Sequence, residues 1–275
     1  MHIPSFEILL SSTFVVAFVC GASAQGSKSP ETYEPPAASK VVLGNIVPTL
    51  KNAKPVDISQ FEKRPPKVAL ALPGGQLYFE VPSIDIDDDG SNAGSPQGWN
   101  PHPVRGGKVD KSHQDITAYN GAKPLSAFTD PYVVLPGRKT PKGADWYAAL
   151  GLGIHLGDGA VVIRGDKLVF VVFGDTGPWN KIGEMSIKAH ELFGEDVFEQ
   201  VTVPVVGPDG KPLVDSTTGK PLTKTEVRTR NRASNGPLIV IVFPHTSVGS
   251  KFVSVDTSLK TLISEEYTKL AGVTK

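Results

Sequence analysis

Hydrophobic residues in this chain come in short runs broken by glycine and proline. Val68–Leu72, Leu77–Val81, Tyr132–Leu135, Ala160–Arg164, Leu168–Phe173, Val201–Val206 and Leu238–Phe243 are each too short for an ordinary helix and rich in β-branched or aromatic residues. Continuous apolar runs of this length predict strands buried on both faces, and their spacing predicts a mainly β protein, a single β-barrel over residues 67–275 with a few helices packed on it. Two stretches break the pattern with helical spacing. Leu259, Leu262, Ile263, Tyr267 and Leu270 trace one stripe ending near Gly272, and Met185, Ala189, Leu192 and Phe193 trace another, stopped by Gly194, with Glu184 expected to open that helix.

Residues 25–66 are rich in Pro, Ser, Lys and Glu and read as a linker or surface wrap, with one short strand expected within Val41–Leu50. Residues 199–235 contain GKPL twice, at Gly210–Leu213 and Gly219–Leu222. Set in turn-rich polar surroundings, this segment reads as an inserted hairpin or flap, with a lid over a cleft as its functional alternative. At the amino end, Ile8–Cys20 is mainly apolar and Ala22-Ser23-Ala24 follows, the arrangement of a signal peptide (residues 1–24) cleaved before Gln25. Val19 stands where a small residue would precede a lipidated cysteine, which makes anchoring at Cys20 the lesser alternative. The expected destination is extracellular, with no stable membrane insertion after the signal is removed. Cys20 is the sole cysteine, so the remaining domain must rest on its core rather than on disulfides.

The chain has 28 Lys and Arg against 28 Asp and Glu, and removing residues 1–24, which hold Glu7 and no Lys or Arg, leaves the remainder one charge positive. This balance argues against general nucleic-acid binding, and any attraction for a charged polymer must come from local patches. His155, His190 and His245 are scattered without metal-ligand spacing, Ser186 and Ser247 lack a nucleophile elbow, and GLGIHLGDG at Gly151–Gly159 lacks the Lys-Ser/Thr of a phosphate loop. No metal and no cofactor are expected, and a monomer is the default.

The chemistry concentrates in carboxylates. After the run Leu168–Phe173, Gly174 is expected to turn the chain and display Asp175 at a strand end, in GDTGP; Glu184 follows in IGE. Asp175 and Glu184 are the candidate acid/base pair. An Asp after glycine is commonly a turn-former, and a Glu in a first helical turn commonly serves the helix dipole, so neither is diagnostic singly. A second cluster, DIDDDG, brings together Asp85, Asp87, Asp88 and Asp89. It opens like an EF-hand loop, but Pro96 occupies the position of the bidentate glutamate, which excludes that site; a solvated acidic turn, another calcium site and a subsite for substrate ammonium groups remain open. Trp99, Trp146, Tyr147 and Trp179 could stack on sugar faces, Trp179 being favoured because it lies between the two candidate acids.

The ordered set DIDDDG (Asp85–Gly90), DPYVVLP (Asp130–Pro136), LGDGAVVIRGDKLVFVVFGDTGP (Leu156–Pro178) and IGEMS (Ile182–Ser186) resembles the glycoside hydrolase family 75 chitosanases over about Leu77–Phe193. The resemblance implies a secreted endo-acting enzyme that cuts β-1,4 glucosamine linkages of chitosan with inversion. It places the essential carboxylates at Asp175 and Glu184. Asp85, Asp87, Asp89, Thr176 and Trp179 are the substrate-binding candidates read from the residues around them. The order of strands and GD-G turns also resembles double-psi β-barrels. Rival readings are a lytic transglycosylase-like or other glycan-cleaving barrel, and a noncatalytic secreted glycan-binding protein.

Overall fold

A computed structural model describes residues 33–61, 65–90, 94–97, 99, 103–104, 108–109, 125–230, 234–247 and 257–272. The expected signal segment, residues 1–24, lies outside them. The strands are β1 (Lys54–Pro55), β2 (Val68–Ala71), β3 (Leu77–Asp87), β4 (Pro103–Val104), β5 (Lys108–Val109), β6 (Tyr132–Pro136), β7 (Gly159–Arg164), β8 (Lys167–Gly177), β9 (Glu184–Ser186), β10 (Phe198–Pro204), β11 (Thr223–Thr229) and β12 (Ser234–Val242). The helices are α1 (Ala37–Leu43), α2 (Ile46–Leu50), α3 (Trp146–Ala149), α4 (Ile187–Leu192) and α5 (Thr257–Ala271).

Six strands close on themselves in the order β3, β12, β7, β8, β6, β9 and back to β3. The contacts β3–β9 and β6–β8 are parallel and the other four antiparallel. The fold is thus the mainly β single barrel expected, and closure removes the exposed edges that an open sheet would present. All six strands send alternate residues into one buried cluster, including Phe79, Val240, Val162, Phe173, Val133 and Met185, which fills the barrel. The intervening residues, among them Tyr78, Ile239, Val161 and Val172, face outward into a second cluster roofed by Leu43, Ile46 and Leu50 of the amino-terminal segment and by Ile263 and Tyr267 of α5. Burial on both faces explains why these strands read as continuous apolar runs.

The stretch expected to hold a short strand, Val41–Leu50, instead forms α1 and α2. Its apolar residues Leu43, Ile46 and Leu50 are completely or almost completely buried, because Gly44, at φ 49°, turns the chain so that both short helices lie on the barrel. The Asn45 N–H donates to the Ala271 carbonyl at 2.7 Å, and the Tyr267 hydroxyl donates to the Val42 carbonyl, tying this segment to α5. The repeat-bearing segment forms a hairpin of β10 and β11, and its tip exposes Val206, Leu213, Val214 and Leu222.

Two local expectations are corrected. Gly174 does not end its strand: β8 runs on to Gly177, and the pairing with β6 slips at Gly174, where Val133 faces Phe173 but Val134 faces Asp175. A Cβ at Gly174 would come within 2.5 Å of Leu125 and 2.8 Å of Tyr132, so this bulge needs glycine. Glu184 does not open a helix either. It begins β9, wedged between β3 and β6, and the helix starts three residues later, where the Ser186 hydroxyl oxygen accepts from the Ala189 N–H at 3.3 Å. Pairing on both sides overrides the helical spacing of the residues that follow.

Candidate active site

Side chains alternate across a strand, and residues opposite each other in register share a face. Asp175 on β8 lies opposite Val134, Val134 lies opposite Glu184 on β9, and Glu184 lies opposite Asp85 on β3. Asp87, two residues beyond Asp85, lies opposite Ser186. Asp85, Asp87, Asp175 and Glu184 therefore share the outer face of one barrel sector. The bulge is what places Asp175 there, since uninterrupted alternation would have sent it inward with Phe173. The three aspartates are buried and Glu184 is half-buried.

The acids are held at close quarters. Asp87, Asp89 and Asp175 each offer a carboxylate oxygen within 4.8 Å of the others, a spacing at which oxygen ligands could close on a hard cation or on an ammonium group. Asp87 Oδ1 accepts from the Asp89 N–H at 2.9 Å. Burial, reinforced by the charges of Asp89, Asp175 and Glu184, pushes the Asp87 carboxyl well above the ordinary aspartate range, so this cluster retains a proton where an exposed aspartate would lose it. Tyr132 packs beneath, its hydroxyl donating to the Asp89 carbonyl at 3.0 Å, and burial followed by the charges of Asp87 and Asp175 raises its pKa.

On the other side of Val134, Lys181 Nζ lies 2.5 Å from Glu184 Oε1 and 3.0 Å from Asp85 Oδ2. Burial works against this ammonium, but Glu184 and Asp85 outweigh it and raise its pKa above the ordinary lysine value. Glu184 Oε2 rests over Gly177, where a Cβ would come within 2.7 Å of it. Ser186 braces the floor, donating to the Asp130 carbonyl at 2.8 Å and accepting from the Tyr132 N–H at 3.0 Å.

The remaining sequence candidates fall around this face. Asp88 Oδ2 accepts from Thr229 Oγ1 at 3.1 Å, which docks the base of β11 beside the acids. Thr176 lies opposite Leu135, so its side chain takes the other face of β8, while its N–H donates to Asp175 Oδ1 at 2.7 Å. Trp179 is half-buried in the turn after β8, with Lys139 Nζ 4.6 Å from its ring centroid. The sequence reading passed over Lys181 and Tyr132. The spacing of Lys181 and Glu184 was visible, but only the pairing of β3 with β9 shows that Asp85 joins them.

Two carboxyl groups on one barrel face can divide the acid and base roles that glycosidic cleavage requires. Residues 84–203 match the family model of the fungal chitosanases of glycosyl hydrolase group 75, a span that contains Asp85, Asp87, Asp89, Asp175 and Glu184. Among curated proteins none matches the chain. A little under half of the chain is thus similar to the group 75 chitosanase domain, and the chain is a glycoside hydrolase with a polysaccharide substrate.

Proposed function

We propose that the protein is a secreted endo-chitosanase that cleaves β-1,4 glucosamine linkages with inversion, Asp175 and Glu184 dividing the acid and base roles. The supporting observation is their relation across β6. Glu184 Oε2 packs over Gly177, and Gly177 lies two residues beyond Asp175 on the same face of β8. Inverting enzymes hold their two carboxyl groups about 6.5 to 9.5 Å apart, which leaves room for the attacking water, whereas retaining enzymes hold them at about 5 to 5.5 Å. One carboxyl group protonates the glycosidic oxygen as its bond to C1 breaks. The other removes a proton from the water whose oxygen bonds to C1 from the opposite side.

Asp85, Asp87 and Asp89 supply carboxyl oxygens beside the pair, suited to accept hydrogen bonds from the ammonium groups of a glucosamine polymer. Trp179 offers a ring at the edge of this face. Export is supported by the apolar segment and small-residue site at the amino end. Among the described residues no helix is long and apolar enough to cross a membrane. The protein is proposed to act as a monomer, with neither nucleic acid nor a cofactor as partner.

The test is reducing-end release from chitosan, chitin, cellulose and peptidoglycan by the purified protein. Rapid release from chitosan alone, with a fast fall in viscosity, is the expected result. Preferential cleavage of peptidoglycan would favour the transglycosylase-like reading, and binding without product on any polymer would favour the glycan-binding one.

A further inference from the structure

His155 and His245 are far apart in the sequence, and the barrel brings them together. His155 stands in the loop that leads into β7 and His245 just after β12, two strands whose adjoining ends pair at Ala160 and Val242. Their ring centroids are 6.4 Å apart with the ring planes at 44°, and both residues are exposed. Among the described residues neither ring makes a hydrogen bond. The proximity that metal ligands need is thus absent from the sequence spacing and supplied by the fold.

The pair is held from beneath by a single carboxyl group. Asp158 is completely buried, and its Oδ2 accepts from the His155 N–H at 2.7 Å. Its Oδ1 accepts from the N–H groups of the two residues after His245, Thr246 at 3.0 Å and Ser247 at 2.9 Å. Thr246 is tied down again, its hydroxyl accepting from the Gly159 N–H at 2.7 Å and donating to the Phe243 carbonyl at 2.7 Å. Both histidine loops are therefore fixed to one buried group, while the rings themselves stay in solvent. The arrangement holds strain, because His245 is the one non-glycine residue among those described with a positive φ, 64°. Its ring lies against the backbone of Gly153, where a Cβ would come within 2.5 Å of His245 Cε1 and 2.7 Å of Nε2. Gly153, at φ 72°, serves both the turn and the ring laid over it.

We propose that His155 and His245 form a binding site for a divalent transition-metal ion of the copper or zinc type, with water in the remaining positions. Imidazole nitrogens suit such ions, whereas calcium and magnesium take oxygen ligands. A metal–nitrogen bond of about 2.0 Å to each ring places the two centroids roughly 5 to 6 Å apart, so a small turn of either exposed side chain closes the site. The ion cross-links the loop before β7 to the end of β12. It takes no ligand from the acids of β3, β8 and β9 and is no cofactor of the cleavage.

The experiment is calorimetric titration of Cu²⁺ and, separately, Zn²⁺ into the chelator-treated protein, for wild type, His155→Ala, His245→Asn and the double variant. Asn is chosen because it tolerates the positive φ of His245. Wild type should bind one ion that either single variant weakens by at least about 10-fold, since even the loss of an outer-shell partner costs that much, and the double variant should lose it. The electron paramagnetic resonance spectrum of the Cu²⁺ form should show two imidazole nitrogens in wild type and one in each single variant. The ion should also raise the melting temperature of wild type and leave that of the double variant unchanged. Equal affinity in wild type and double variant would assign the ion to other residues and overturn the proposal, as would a wild type that binds neither ion. Should His245→Asn fail to fold, His155→Ala decides by the same titration, its side chain being exposed.

Discussion

Strand β3 meets a lysine twice, at Glu80 and again at Asp85, and the two meetings have opposite character. Glu80 is sealed under the amino-terminal segment. Its Oε1 pairs with Lys67 Nζ at 2.9 Å, its Oε2 accepts from the Tyr33 hydroxyl, and Tyr33 and Tyr78 share a hydrogen bond at 2.8 Å. Burial raises the pKa of both phenols, so each stays a neutral hydroxyl. At Asp85 the lysine is shared between two carboxylates, and Asp87, Asp89 and Asp175 crowd the same face beyond them. The first cluster matches one carboxylate with one lysine under the amino-terminal segment; the second gathers several carboxyl groups around Lys181 on the outer face of the barrel. Burial of a carboxylate is therefore no mark of function in this barrel, whereas the gathering of several on one face is what the proposed function draws on.

The strongest way to break this contrast is to neutralise the acids one at a time. Asp175→Asn and Glu184→Gln should each lower reducing-end release from chitosan by about 10³-fold with little change in thermal unfolding. Near-native rates in either variant would dissolve the distinction. Glu80→Ala should do the opposite: it removes the acceptor of Tyr33 and the partner of Lys67 and costs about 2 kcal/mol of stability, Lys67 being exposed enough to recover water. Its kcat below the unfolding temperature should match wild type, and a specific loss of kcat would move Glu80 into the site.

A subtler effect concerns Asp87. Its folded pKa lies above the unfolded value, so the native state binds more protons, and its contribution to stability is complete below the unfolded pKa and is lost as pH rises through the folded one. Urea unfolding across that range should show wild type weakening relative to Asp87→Asn as the pH climbs, with the variant the more stable at neutral pH. A constant difference between the two proteins would mean that the acidic face carries no strain from its excess charge.

Much of the barrel was legible from the chain. Val68–Leu72, Tyr132–Leu135, Ala160–Arg164 and Leu238–Phe243 fall on strands nearly as expected, because burial on both faces leaves continuous apolar runs, and α5 follows its helical stripe. The acids could be named as candidates only through the family resemblance, since an Asp after glycine or a Glu near a helix start is common without catalysis. Their common face could not be read, because it depends on long-range pairing. The bulge at Gly174 reverses the side that Asp175 takes, and β9 exists only because β3 and β6 flank it. Helices α1 and α2 were hidden for a similar reason, since five to seven residues form a helix there only with the barrel to pack against.

The most direct test of the account is the anomeric form of the first product, followed by proton NMR during hydrolysis of a glucosamine hexasaccharide. Direct displacement by water, as proposed, predicts that the new reducing end appears as the α-anomer and reaches the β form only by mutarotation. Appearance of the β-anomer first would show retention, and would contradict the proposed division of labour between Asp175 and Glu184.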